Sequence, residues 1–256
     1  MNSIKLTFLG TGTSQGIPLI ACDCIVCSSL DPKDNRTRSS ILVRVGNTQI
    51  VIDTGPDFRQ HMLREKVKSL DAIVFTHEHK DHIAGMDDVR GFNFIQGKAM
   101  EVYCTERVEN ALRREFAYIF DNSNYPGVPK INLNRIASDT FVIGEMQLTP
   151  IEVLHHKLPV LGFRIGNLVY ITDANFISEE EKEKIKNTDV LILNALRHEK
   201  HISHFNLQEA IDLVNELKPK RAYFTHISHQ LGLHSEVSKN LPNNVFLAYD
   251  GLSFSV

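Results

Sequence analysis

No stretch of this 256-residue chain approaches the roughly 20 consecutive apolar residues that span a bilayer. The amino terminus has neither an apolar core nor a small-residue cleavage site. Ile4-Lys5-Leu6-Thr7-Phe8-Leu9-Gly10 reads as a first β-strand, so no secretory signal is expected. Charge of one sign is also lacking. The 28 Lys and Arg against 31 Asp and Glu leave a net −3, which builds no broad cationic face for nucleic acid or membrane. Only four cysteines occur, three of them crowded together, which fits metal binding better than a disulfide framework. The glycine-rich Gly10-Thr11-Gly12-Thr13-Ser14-Gln15-Gly16 lacks a following Gly-Lys-Ser/Thr and fails the dinucleotide pattern. It is expected to be a tight turn beneath a site rather than a phosphate loop. What remains is an ordinary globular composition, 42% hydrophobic and 23% charged, expected as one cytoplasmic domain over 1–256.

What the chain does have is histidine at strand ends. Thr76-His77-Glu78-His79-Lys80-Asp81-His82 places three histidines and an aspartate within six residues. The apolar, β-branched run 70–75 precedes them and a helix is expected from Asp81, so the cluster sits where a strand gives way to a helix. Imidazole and carboxylate suit zinc, manganese or iron, and alternate residues of an extended turn converge on one ion, leaving Asp81 and His82 for a second. The pattern returns in outline later. A strand over 149–154 ends at His155-His156, a hairpin over 162–171 turns at Gly166-Asn167 and ends at Asp173, and a strand over 221–224 leads into His226. Neighbours on a strand face opposite ways, so only one of His155 and His156 can join a site. Asp173 is the candidate to bridge two cations through its two oxygens.

Further residues are candidates for support. Asp53 ends a strand over 49–53, where it either backs a ligating histidine or caps a helix expected over 57–63 that carries His61 as a packed or surface residue. His204 precedes a helix whose Asn206-x-x-Glu209 start reads as a capping box. His204 is the candidate to contact a leaving or non-bridging oxygen, while His198 and His201 read as loop polar groups. Helix is also expected over 106–118, and 122–129 reads as a loop in which Tyr125 either stacks on substrate or caps the core. Cys22-x-Cys24-x-x-Cys27 supplies three corners of a tetrahedral zinc site in a loop at about 20–30. A histidine is the better fourth ligand, and His229, three residues beyond His226, can face away to provide it; Cys104 reads as a core thiol.

Thr-Gly-Thr-Ser-Gln-Gly, Cys-x-Cys-x-x-Cys, Thr-His-x-His-x-Asp-His, His-x-Lys-Leu and Thr-His-Ile-Ser-His-Gln occur here in that order. This set resembles the metallo-β-lactamase superfamily. It is most similar to the phosphodiesterase branch related to the phosphoribosyl cyclic-phosphate phosphodiesterase of phosphonate breakdown. The resemblance implies an α/β fold, a four-layered αββα sandwich, and a homodimer. It selects His155 over His156 and makes Asp53 the support of a ligating histidine. One ion would be held by His77, His79, His155 and Asp173, and the other by Asp81, His82, Asp173 and His226. Cys22, Cys24, Cys27 and His229 would hold a structural zinc. The expected activity is hydrolysis of a small cyclic or linear phosphodiester by a metal-bridging hydroxide, with Asp81 and His204 at the reacting atoms and no membrane or nucleic-acid partner. The competing readings are a tRNA 3′-processing endoribonuclease, a thioesterase of the glyoxalase type, and a non-catalytic zinc-stabilised binding module. Arg90-Gly91 departs from the Arg-Pro expected in close relatives.

Overall fold

The computed structural model describes residues 3–121 and 125–256. Strands β1 (Ile4–Gly10), β2 (Ser40–Val45), β3 (Thr48–Ile52), β4 (Ala72–Val74), β5 (Met100–Cys104) and β6 (Ile131–Arg135) pair side by side in that order. A second sheet holds β7 (Phe141–Ile143), β8 (Met146–His155), β9 (Leu158–Ile165), β10 (Leu168–Tyr170), β11 (Val190–Asn194), β12 (Arg221–Thr225) and β13 (Val245–Leu247), again in sequence order. The chain then returns as β14 (Ser253–Ser255) to the outer edge of the first sheet beside β1. Each sheet has an antiparallel part and a parallel part; β3 to β6 and β10 to β13 run parallel.

Side-chain alternation decides the layering. Ile50 and Ile52 of β3 point inward with Ile41, Val43, Phe163 and Tyr170 to form the layer between the sheets. Val51, between them, faces outward and packs with Ile73, Val102 and the helical residues Phe58, Met62, Ile83, Phe92, Val108 and Leu112. Those residues belong to α1 (Phe58–Arg64), α2 (Lys80–Ile83), α3 (Arg90–Gln96) and α4 (Glu106–Glu115), which with α5 (Ala117–Phe120) cover the first sheet. On the other side α6 (Glu179–Ile185), α7 (Leu207–Leu217) and α8 (His234–Val237) cover the second sheet through Ile185, Leu213, Val214 and Val237. This is the αββα sandwich that the motifs imply. No helix among the described residues is long and apolar enough to cross a membrane.

One local expectation changes and two open alternatives narrow. Helix over 106–118 is interrupted at Phe116 (φ −122°, ψ 43°), whose side chain turns in to pack against the helical layer before α5 begins. Tyr125 is 72% exposed and caps nothing in the core, while 122–124 lie outside the described residues. Helix α1 takes Asp57 as its N-cap, so Asp53 is free of that role. The box at Asn206 and Glu209 forms as read, each side chain accepting from the other's backbone N–H at 2.8 and 3.0 Å. Cys104 is fully buried, and burial pushes its thiol up to about 12.

Candidate metal centre

The candidate residues follow the carboxyl ends of β3, β4, β10 and β12 and the end of β8, on one rim of the sandwich. After β4 the chain leaves the sheet through Thr76 and His77, and His79 becomes the first residue before α2. This turn is pressed against its neighbours. A Cβ on Gly55 would lie 2.1 Å from the Asp81 carbonyl oxygen, and one on Gly85 would lie 2.2 Å from the Gly55 carbonyl oxygen. Asp53, fully buried, accepts from the Thr76 N–H (2.9 Å), the Thr76 hydroxyl (2.8 Å) and His82 Nδ1 (2.7 Å). With Nδ1 donating to Asp53, His82 turns Nε2 inward, 3.1 Å from Asp81 Oδ2 and 3.3 Å from Asp173 Oδ2.

The second sheet supplies the other side. His155, the last residue of β8, donates Nδ1 to the Ser203 carbonyl at 2.8 Å, leaving Nε2 for the site. His156 falls in the turn with φ +58°, and its N–H is taken by Asn175 Oδ1 at 2.7 Å, away from the cluster. Asp173 receives the Thr172 hydroxyl at 2.6 Å, while His226 Nε2 and His204 Nε2 each lie 3.2 Å from its Oδ1. Asp53, Asp173 and His226 all adopt left-handed φ (+66°, +54° and +55°), which L-residues hold only under constraint from their surroundings. At each strand end this bend turns the side chain into the crevice.

One ligand atom each of Asp81, His82, Asp173 and His226 lies within 4.8 Å of the others, and the same holds for His155, Asp173 and His204. His77 Nε2 is 3.0 Å from His79 Nδ1, and the two rings lie 5.8 and 5.1 Å from that of His155. The structure therefore gathers His77, His79, Asp81, His82, His155, Asp173 and His226 around one crevice, with His204 against Asp173. It also brings in His201, which sequence reasoning left in the loop: its Nδ1 lies 3.0 Å from that of His204. Its position three residues before His204 in a histidine-rich turn was the only signal for it.

Electrostatics and donor chemistry fit divalent cations. Burial holds His77, His155 and His226 below the usual imidazole range, His226 at about 4, so they stand neutral with a lone pair to offer. Burial alone would push Asp173 up, but His226, His82 and His204 outweigh it and keep the carboxylate ionised. His82 moves the other way: burial disfavours its charge, yet Asp81, Asp173 and Asp53 raise it well above the usual value. Three largely buried carboxylates facing one imidazole make a crevice that favours a cation. His82 Nε2 lies within reach of Asp81 and Asp173 but makes no well-aligned hydrogen bond to either among the described residues.

A second group forms behind the site. Cys22, Cys24 and Cys27 Sγ lie 3.5, 3.3 and 3.6 Å from His229 Nδ1. Zinc at the centre of a tetrahedron with ordinary Zn–S and Zn–N bonds separates sulfur from nitrogen by about 3.6 Å. The Cys27 N–H and His229 draw the Cys24 thiol down to about 6, while burial pushes Cys27 up to about 11, and a bound cation would favour the ionised form of both. The glycine turn runs beside this region as expected, with Ile227 N–H donating to the Thr11 carbonyl at 2.9 Å and Thr13 N–H to the Ile227 carbonyl at 3.0 Å.

The beta-lactamase superfamily domain matches residues 48–227, which include every histidine and aspartate of the crevice. The chain belongs to the beta-lactamase superfamily. Within that superfamily, a crystal structure described as a new diphosphatase from the PhnP family is 40% identical, with a TM-score of 0.94 over 99% of this chain and 97% of that one. This superfamily member therefore falls in the PhnP branch. An octanoyltransferase of Porphyromonas gingivalis is 37% identical over 252 residues, covering 97% of this chain and 51% of that protein. A ribonuclease Z of Methanopyrus kandleri is 26% identical over 138 residues, 52% of this chain and 46% of that protein. The chain spans about half the length of these two curated relatives.

Proposed function

We propose that the chain is a hydrolase that holds two divalent cations and cleaves a phosphoric diester or diphosphate linkage in a small molecule. The observation that carries this reading is the position of Asp173, with Oδ2 facing His82 (3.3 Å) and Oδ1 facing His226 and His204 (both 3.2 Å). Asp173 also groups with Asp81, His82 and His226 on one side and with His155 and His204 on the other, so one carboxylate can serve both halves of the crevice. His77, His79 and His155 complete one half, and Asp81, His82 and His226 the other. Bound there, divalent cations supply Lewis acidity toward phosphoryl oxygens and a water acidified to a pKa near 7. Two dications against two ligand carboxylates leave a formal +2, which favours an anionic phosphate over a neutral amide or lactam. Asp53 and the Ser203 carbonyl fix the tautomers of His82 and His155. His204 Nε2 reaches the reacting phosphate from beside Asp173, and its ring is held by Ser203 Oγ, 3.0 Å from Nδ1.

The PhnP-family likeness supports this reading along the full length of the chain, and the word diphosphatase in that structure's description widens the candidate linkage beyond a diester. The ribonuclease Z likeness covers about half the chain, and the sequence carries no long basic Gly/Pro-rich insertion to serve as a tRNA-gripping arm. The octanoyltransferase likeness covers half of that protein and favours testing an acyl thioester. Metal analysis followed by turnover of bis(p-nitrophenyl) phosphate, a cyclic phosphodiester, a dinucleoside diphosphate, precursor tRNA and an octanoyl thioester separates the classes. Metal-dependent release from the first three is expected. Turnover confined to tRNA or to the thioester refutes the reading.

A further inference from the structure

Beside β13, the edge strand of the second sheet, the surface opens into a pocket of about 500 Å³. None of the residues that line it is a candidate metal ligand, and none carries a carboxylate. Part of the wall is apolar. Leu241, Pro242 and Leu252 contribute to it with Phe246, whose ring is 42% exposed and lies 5.4 Å from that of Tyr223. Lys33 and Lys239 also line the pocket, and neither forms an ion pair among the described residues. Lys33 Nζ stands 4.9 Å from the centre of the Tyr249 ring, which holds its charge at the pocket.

His234, the first residue of α8, supplies direction. It is only 8% exposed, yet it lines this pocket. Its Nδ1 lies 3.1 Å from Arg36 Nη2. A guanidinium only donates, so Nδ1 accepts and the ring proton sits on Nε2. Buried Arg36 cannot turn away, because its Nη1 donates to the Thr11 hydroxyl at 2.8 Å and to the Ala248 carbonyl. The His234 N–H donates to Asp34 Oδ1 at 2.7 Å, and the ring stands edge-on to Tyr249 at 5.8 Å. Burial, Arg36 and Lys33 lower this imidazole to about 4, so it is neutral and keeps one tautomer at neutral pH. Its Nε2–H meets no acceptor among the described residues. A buried group with a fixed proton thus goes unanswered beside two unpaired ammonium groups and a bare aromatic ring. We infer that this pocket binds an aromatic anion, whose acid group is received by Lys33, Lys239 and His234 Nε2–H and whose ring lies on Phe246. An ionised oxygen makes charge-assisted bonds to all three donors. An anion without a ring would leave the Phe246 wall uncovered, and a ring without a charge would leave the donors unmet.

Calorimetric titration of the metal-loaded protein with naphthalene-1-sulfonate, methanesulfonate and naphthalene-1-methanol tests this. A sulfonate is a poor metal ligand, so the crevice does not compete for it. One equivalent of naphthalene-1-sulfonate is expected to bind, about tenfold or more tighter than the ring-free anion or the uncharged ring. The Lys33→Ala/Lys239→Ala double variant and Phe246→Ala should each weaken it by about fivefold or more. Lys68→Ala/Phe94→Ala alters a different pocket, on the helices of the first sheet, and should leave binding unchanged. Nitrogen-15 spectra of the imidazoles give a readout that needs no variant: His234 should carry its proton on Nε2, and that resonance should move as naphthalene-1-sulfonate is added. Four results overturn the inference: no binding of naphthalene-1-sulfonate, equal affinity for naphthalene-1-methanol, wild-type affinity in the Lys33/Lys239 variant, or a proton on His234 Nδ1.

Discussion

Replacing Asp53 by asparagine perturbs one carboxylate oxygen and tests how the crevice is held. Asp53 receives three donors at 2.7–2.9 Å, from Thr76 N–H, the Thr76 hydroxyl and His82 Nδ1. Asparagine tolerates the φ of +66° and keeps an acceptor for one of the three. Its amide N–H2, however, meets His82 Nδ1 donor to donor. The imidazole is then driven to the tautomer that carries its proton on Nε2, aimed at Asp81 and Asp173, where a lone pair is needed. Loss of such a supporting partner costs about 10- to 100-fold in metal affinity, or about 1.4–2.8 kcal/mol. The loss should fall on the ion held by His82. Asp53→Ala differs in kind, because it leaves all three buried donors unsatisfied at about 1–3 kcal/mol each and threatens folding itself. Metal retention against chelators of graded strength, read by elemental analysis beside a thermal melt, measures both effects. If Asp53→Asn binds both ions as tightly as the wild type, or loses both equally, the support assigned to Asp53 is wrong.

Asp173→Asn should lower metal-dependent turnover about 10³-fold or more while the circular dichroism spectrum is kept; turnover within tenfold of wild type would remove Asp173 from the centre. Cys24→Ser should abolish the thiolate-to-metal absorption of cobalt-substituted protein and lower Tm by about 5 °C or more, and an unshifted melt would show that the cysteine loop carries no structural ion. Gly85→Ala, whose Cβ would lie 2.2 Å from the Gly55 carbonyl oxygen, should destabilise the fold and weaken metal retention together. Burial lowers His61 to about 4, so the neutral form is the one the fold accommodates. Unfolding lets this histidine take up a proton near pH 6.5. Its stabilisation is therefore present above that pH and is lost as pH falls from about 6.5 toward 4, at most about 3 kcal/mol. Urea titrations of the wild type and His61→Gln should show a shallower acid slope in the variant, and equal slopes would count against the buried neutral state.

Local order along the chain was enough to find the strand-end histidines, the three-cysteine loop, the hairpin turn at Gly166-Asn167 and the box opening α7, because each is written within about ten residues of itself. In β3 the three apolar residues Ile50, Val51 and Ile52 look alike in the sequence, and only the stacked layers show that the first and third face inward and the second outward. Which candidates meet was a different matter. Asp173 reaches both His82 and His226, 91 and 53 residues away, only because two sheets stack with their strand ends on one rim. The choice between cap and support at Asp53 was settled by His82 lying 2.7 Å away, and the approach of His201 to His204 by the loop folding back beside Asp173. The interruption at Phe116 escaped notice because helical periodicity continues through it; only the apolar layer into which the ring turns gives a reason to break there. Spacing along a strand or helix follows from bond geometry and is legible residue by residue. Convergence between distant segments depends on how whole layers pack, which no short stretch of sequence contains.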